Sequence, residues 1–165
     1  DLATMLLAYD ATLDIMTPHE HTTMPLRELY HADGVNNKHL APQQVVSSVS
    51  ITMPNKKWGG FYKLRHRDSI DFPLLSVAVC FDLDKGLLQQ GCVVVNALVA
   101  KPKVFDLMEF HGRHYDHAII ATIAHGIQNK CHPQTNICDS GWRKSMIAIA
   151  IERAFLHAHK PGLTC

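Results

Sequence analysis

The sequence contains no apolar run long enough to cross a bilayer. Its longest, such as Ile147 to Ile151 and Val93 to Val99, fall far short of the ~20 residues that a membrane helix needs. No basic n-region followed by an extended apolar core is seen, so no secretory signal is read at its start. Neither sign of charge dominates: 16 Lys and Arg stand against 15 Asp and Glu, a net charge of +1. No basic stripe points to nucleic acid or to an anionic membrane surface. Internal repeats and low-complexity stretches are lacking too. The 5 cysteines (Cys80, Cys92, Cys131, Cys138 and Cys165) include no CxxC pair and no four-cysteine run, which argues against an iron–sulfur cluster held by this chain alone. Their odd number and irregular spacing suit a soluble protein of the reducing cytoplasm better than a secreted disulfide scaffold.

What is present is enough apolar material for a real core. With 165 residues, 47% of them hydrophobic, one domain or two small ones are expected. The chain opens on Asp1-Leu-Ala-Thr-Met-Leu-Leu-Ala-Tyr9, an acidic N-cap followed by apolar positions at helical spacing. A helix that begins at once, with no initiator methionine, reads as the middle of a longer chain.

Two segments follow. The first runs from Asp1 to about Pro54: a helix over Leu2 to Ala8, a strand over Ala11 to Met16, a strand and helical turn over Thr23 to Tyr30, and a strand over Val45 to Met53. In the last of these Val45, Ser47, Val49, Ile51 and Met53 alternate with period two. Pro54, Asn55, the Lys pair and Gly59-Gly60 read as the junction. In the second segment Leu74 to Phe81 is a strand rich in β-formers, Asp82 to Gly86 a hairpin turn, and Cys92 to Ala100 the returning strand. Pro102 is expected to stop the ladder. Cys80 and Cys92 lie in or at the start of these strand-like runs, where a thiol behaves as a small buried hydrophobe. Helical patterns cover about Val104 to Glu109 and Asp116 to Ile127. A final helix capped by Asp139 or Ser140 sets Trp142, Met146, Ile149, Ala150 and Phe155 on one side, ending before Pro161-Gly162. The class is α+β, an antiparallel sheet backed by helices.

Five strings in series go further. Tyr62-Lys-Leu-Arg-His-Arg-Asp-Ser-Ile-Asp-Phe-Pro-Leu-Leu-Ser-Val-Ala-Val79, Asp82-Leu-Asp-Lys-Gly86 with Val93 to Ala100 and Pro102, and Ser140-Gly-Trp-Arg-Lys-Ser-Met146 with Glu152-Arg-Ala154 are the longest. Upstream come Asp1-Leu2 with Leu6-Leu-Ala-Tyr-Asp-Ala11, and Leu40-Ala-Pro42 with Val45-Val46. In order and content they resemble the C-terminal part of the FAD-binding (medium) subunit of the xanthine dehydrogenase and carbon monoxide dehydrogenase molybdenum hydroxylase family. Within it, Ile70-Asp-Phe-Pro73 and Asn136 with Trp142-Arg143-Lys144 are most similar to the β subunit of the 4-hydroxybenzoyl-CoA reductases.

The resemblance implies that residues 1–56 are the end of an FAD-binding (PCMH-type) domain. Residues 57–165 would then form a domain like the C-terminal one of the carbon monoxide dehydrogenase flavoprotein. It implies an oxidoreductase subunit that passes electrons between flavin and [2Fe-2S] clusters. The complex would act on 4-hydroxybenzoyl-CoA or another aromatic or purine substrate. The partners implied are a large subunit with the molybdenum cofactor and a small [2Fe-2S] subunit. The glycine-rich loops for the FAD pyrophosphate would lie in an N-terminal segment upstream of Asp1, leaving ring-side contacts to this chain. The alternative is a subunit-docking domain that binds no cofactor by itself.

Residue by residue, Asp1 matches an acidic position near the flavin ring, against a plain helix N-cap. Val45 and Val46 match apolar residues packed on the ring, against an ordinary core strand. Lys63 matches a lysine at the flavin's polar edge, where an ammonium stabilises the anionic reduced form, against a solvated surface lysine. Arg65 and Arg67 follow at spacing two, on the strand face of Lys63, as contacts to a neighbouring subunit or to Asp68 or Asp71. No catalytic residue is assigned to this chain. The 12 histidines raise a metal hypothesis for His111, His114, His117 and His125, and for His19 and His21 beside Glu20. A structural zinc site needs about four ligands in recurring spacing, a set these do not make, so solvated histidines are expected. His157 and His159 are read as complementing the carbonyl end of the last helix.

Overall fold

A computed structural model describes residues 1–52, 57–134 and 138–158. It contains α1 (Leu2–Ala8), β1 (Thr12–Met16), β2 (His21–Pro25), α2 (Leu26–Leu29) and β3 (Val45–Ser50). After these come β4 (Lys57–Leu64), β5 (Leu75–Asp84), β6 (Leu87–Asn96), β7 (Lys103–Asp106), α3 (His117–Lys130) and α4 (Ser140–Leu156). The strands form two antiparallel sheets, one of three strands in the order β2-β1-β3 and one of four in the order β4-β5-β6-β7. This is the α+β arrangement expected from the pattern.

β5 explains why the run from Leu75 to Phe81 is apolar without alternation: every residue in it is buried. Successive strand side chains point to opposite faces, and here both faces are covered. Leu75, Val77, Val79 and Phe81 pack with Val93 and Val95 against α3 and α4. Ala78 and Cys80 face the other way with Val94, toward α1 and the three-stranded sheet. The β5–β6 hairpin closes through Lys85 and Gly86, both at positive φ (49° and 79°), the two-residue turn whose twist matches the strands. The strands therefore run further into the turn than the Asp82 to Gly86 reading implied.

Four local expectations are corrected. Gly59 and Gly60 lie inside β4, not in a junction, because each admits a close neighbour. A Cβ on Gly59 would stand 2.0 Å from the Tyr9 hydroxyl, and one on Gly60 would stand 2.0 Å from the Ala154 carbonyl oxygen. Residues 103–106 are a strand, not a helix. Pro102 precedes an edge strand, where β6 offers an open ladder to Val104 and Phe105, and only a short 3-10 turn (Met108–Phe110) follows. In β3 the alternation is broken by a register shift opposite Asp14 and Ile15, so Val46 and Val49 pair with Ile15 and Leu13 while Val45 pairs with Met16. Val45 is 63% exposed, which removes its core-strand reading; Met53 lies outside the described residues.

The fourth correction concerns α4. Its buried face is Arg143, Ile147, Ala150, Ile151, Ala154 and Phe155, whereas Trp142 and Ile149 are exposed. Small alanines let the helix approach β4 at Gly60, and the packing of the helix turns on an arginine. Asp139 is the N-cap, accepting from the Trp142 amide at 2.6 Å.

Arg143 is fully buried. Its Nε and Nη2 donate to the Leu74 carbonyl at 3.2 and 3.0 Å, its Nη1 to the Gln134 carbonyl at 2.8 Å, and its Nη2 also to the Ala97 carbonyl. One planar guanidinium thus joins the start of β5, the end of β6 and the segment before α4. Ala97 takes a left-handed backbone at φ 68°, a costly conformation for a residue with a Cβ, at the carbonyl that the guanidinium holds. Leaving such buried carbonyls unpaired costs about 1–3 kcal/mol each. Arg143→Met, which keeps bulk and removes the donors, is expected to lower unfolding free energy by about 3 kcal/mol or more. Urea melts check this; a loss under about 1 kcal/mol would refute the clamp.

Candidate functional site

The loop joining β4 to β5, residues 65–73, is pinned at its base where the Leu74 amide donates to the Leu64 carbonyl at 2.9 Å. Together with Asp1 and Lys63 it encloses a cleft of about 840 Å³, inside the roughly 300–1,000 Å³ range of small-molecule sites. Lys63 reaches it from the end of β4, and its side chain is only 18% exposed. Asp1 comes from the N-terminus of α1. The helix is held on the sheet by a buried hydroxyl pair, Thr4 with Ser76 at 3.1 Å, and by Asn96 donating to Thr4 at 3.2 Å.

Lys63 donates to the Asp1 carboxylate. Two residues separated by 62 positions therefore meet at the rim of one cleft. Asp1 occupies the N-cap position of α1 yet makes no side-chain cap hydrogen bond. Its carboxylate accepts from the lysine instead of from the helix's own amides. Lys63 is half-buried, with Asp1 as its charge partner.

Arg65 and Arg67 lie in the loop rather than on the Lys63 strand face, because β4 ends at Leu64. Their intrachain partners are as expected: Arg65 to Asp68 at 3.4 Å and Arg67 to Asp71 at 3.9 Å. Each pair has at least one strongly solvated partner, so solvent screening leaves it a small contribution. The loop's apolar residues stand outside. Ile70 is 97% exposed and Phe72 is 86% exposed. The signal for these two was present in the Ile-Asp-Phe-Pro string; a period-two reading does not show that they point to solvent.

Val45 and Val46 are not brought to this cleft. They lie on β3, an edge strand of the three-stranded sheet, with Val46 against the core around Leu13 and Ile15 and Val45 facing out beside Met16. Among the described residues no group of three or more His, Cys, Asp or Glu side chains is placed to hold a metal ion. His111 instead meets the Gln89 carbonyl at 2.8 Å and His125 the Gln128 side chain at 3.4 Å. His157 caps α4, and its ring lies 3.4 Å from the Phe61 carbonyl; His159 lies outside the described residues. No helix among them is long and apolar enough to cross a membrane.

No protein-family model matches the sequence. Solved structures do. The carbon monoxide dehydrogenase from Hydrogenophaga pseudoflava that lacks the Mo-pyranopterin moiety of the molybdenum cofactor matches with a TM-score of 0.84 at 14% identity, over 95% of this chain and 55% of that one. Quinoline 2-oxidoreductase from Pseudomonas putida 86 matches with a TM-score of 0.80 at 17% identity, over 94% of this chain and 54% of that one. Reconstituted carbon monoxide dehydrogenase from Oligotropha carboxidovorans gives 0.81 at 14%, over 95% and 55%. The chain spans about half the length of these matched chains. At such identities the likeness establishes architecture: helices and antiparallel sheets are arranged here as in a carbon monoxide dehydrogenase chain.

Proposed function

We propose that this chain is the ring-side and C-terminal part of the FAD-carrying electron-transfer subunit of a molybdenum hydroxylase-type oxidoreductase. Residues 1–56 would close the FAD domain and residues 57–165 would form the domain behind it. The observation that carries this reading is the meeting of Asp1 and Lys63 at the cleft rim. The fold shared with carbon monoxide dehydrogenase and quinoline 2-oxidoreductase supports it. In the same reading the [2Fe-2S] and molybdenum-cofactor centres belong to partner subunits, and 4-hydroxybenzoyl-CoA or another aromatic or purine compound is the substrate of the complex.

The donor set fits one end of a flavin. When bound, the flavin supplies the electron chemistry and the protein supplies position and charge. Lys63 presents an ammonium to the cleft, where a positive charge favours added electron density on a neighbouring ring. Asp1 holds that ammonium in one orientation and offers a carboxylate oxygen as a hydrogen-bond acceptor. Leu64 and Leu74 anchor the loop that carries Phe72 and Ile70 past the cleft. Val45 and Val46 take no part in this cleft. A ring contact for them requires a second approach along β3, where the exposed Val45 is the available surface.

A second role is favoured by Ile70 and Phe72. Apolar side chains this exposed, beside the proposed flavin cleft, suit docking of a partner subunit, in line with the docking-domain alternative. The two roles are compatible, since the loop carrying the docking residues also borders the cleft.

In the complete subunit, Lys63→Ala is expected to weaken FAD retention about tenfold to a hundredfold, the loss of one charge-assisted hydrogen bond, or to lower the flavin midpoint potential. Flavin-to-protein absorbance after gel filtration and redox titration read this. Unchanged flavin content together with unchanged potential would remove Lys63 from the site. Changing Ile70 and Phe72 together to Ser is expected to leave stability within about 0.5 kcal/mol, as for exposed positions generally, while weakening assembly of the complex on a sizing column. Intact assembly would dismiss the docking role.

A further inference from the structure

The α1 side of the four-stranded sheet carries a second reactive group that the flavin reading does not use. Cys80 on β5 and Cys92 on β6 are direct partners across the antiparallel ladder. Such partners stand about 4.5–5.5 Å apart at Cα, inside the roughly 4.4–6.8 Å window that a disulfide spans. Both side chains lie on the same face and both line one open cleft of about 210 Å³, with Arg27 and Lys57 among its walls. Their access differs. Cys80 is 1% exposed, whereas Cys92 is half-buried and its thiol donates to the Ala8 carbonyl at 3.4 Å. Cys131 packs in the other core, against α3 and α4, so it is no competitor within the folded protein.

We propose that Cys80 and Cys92 form an oxidisable dithiol that closes to a cross-strand disulfide on reaction with a low-molecular-weight disulfide, Cys92 reacting first and Cys80 resolving. The proposal is independent of the flavin site. Cys92 loses its proton and its sulfur attacks one sulfur of the external disulfide. That S–S bond breaks, and the first external thiolate leaves and takes up a proton. The Cys80 sulfur, deprotonated in turn, attacks the Cys92 sulfur and expels the second external thiolate, which is also protonated. Two protein thiols are oxidised and one external disulfide is reduced to two thiols, so no other reactant is required. Closure draws the Cys92 sulfur off the Ala8 carbonyl and so removes a tie at the C-terminal end of α1.

Burial sets the rate. It pushes the Cys80 thiol up to about 11 and the Cys92 thiol up to about 12, the neighbouring Cys80 adding to the latter while the Lys57 ammonium opposes both. Access, not acidity, selects Cys92 as the first to react, since its thiol is pushed the higher of the two while Cys80 is the less exposed. Because the thiolate is the nucleophile, exchange is slow at neutral pH. It accelerates about tenfold per pH unit well beyond pH 8.5, near which an ordinary thiol levels off.

The test treats the full chain with oxidised glutathione at pH 8 and pH 9, quenches with acid and maps peptides by mass spectrometry. The expected products are a Cys80–Cys92 linked peptide in the wild type, a Cys92–glutathione mixed disulfide that accumulates in Cys80→Ser, and an unmodified Cys80 in Cys92→Ser. The linked peptide should form about tenfold faster at the higher pH. Linkage must also be selective: in urea the same treatment should scramble Cys80 and Cys92 with Cys131, Cys138 and Cys165. Glutathione on Cys92 of the wild type without closure would overturn the proposal. So would modification of Cys138 alone, or the same pairing pattern with and without urea.

Discussion

A buried guanidinium organises this molecule. Arg143 carries its charge into a fully buried site and is met there by the carbonyls of Leu74, Ala97 and Gln134. Carbonyl dipoles arranged around a planar fork satisfy several donors at once, which is what makes a buried arginine tolerable. Leu74 matters most for the site, because its amide simultaneously closes the base of the 65–73 loop on Leu64. The loop's path, and with it one wall of the larger cleft, therefore depends on a residue of the last helix.

The second constraint is that the central strand has no solvent face from Leu75 to Phe81. β5 is covered by α3 and α4 on one side and by α1 with the three-stranded sheet on the other. Glycines at Gly59 and Gly60 permit both layers to approach β4 closely, Tyr9 from one side and α4 from the other. This two-sided packing is what brings the start of α1 to the end of β4. Asp1 meets Lys63 because Thr4, a turn further along the same helix, is hydrogen-bonded to Ser76 and Asn96 on the sheet. The facing pair Cys80 and Cys92 sits beneath the other end of that helix.

Motif resemblance and structural likeness point to the same architecture from independent directions. The strings from Asp1 to Ala154 carry order along the chain. The matched structures share 14–17% identity with it over nearly its whole length, too little for the strings alone to dictate the superposition. Their agreement concerns the fold: the order of elements along the chain and their arrangement in space.

Several elements were legible because their signals are local. The opening helix, a β5–β6 hairpin turning within Asp82 to Gly86 and a cap at Asp139 or Ser140 follow from spacing, turn chemistry and capping, each decided within a few residues. Lys63 and Asp1 were legible only through motif order. What the sequence did not disclose depends on who the neighbour is. Whether Val104 enters a strand or a helix was settled by the free edge of β6. Which face of α4 is buried was settled by Gly60 and by the carbonyls awaiting Arg143, not by the apolar side chains of Trp142 and Ile149. That Asp1 grips a lysine rather than its own helix, and that Cys80 faces Cys92, are matters of register and layer order. Local propensity carries no information about either, because both are set by contacts between residues far apart in the chain.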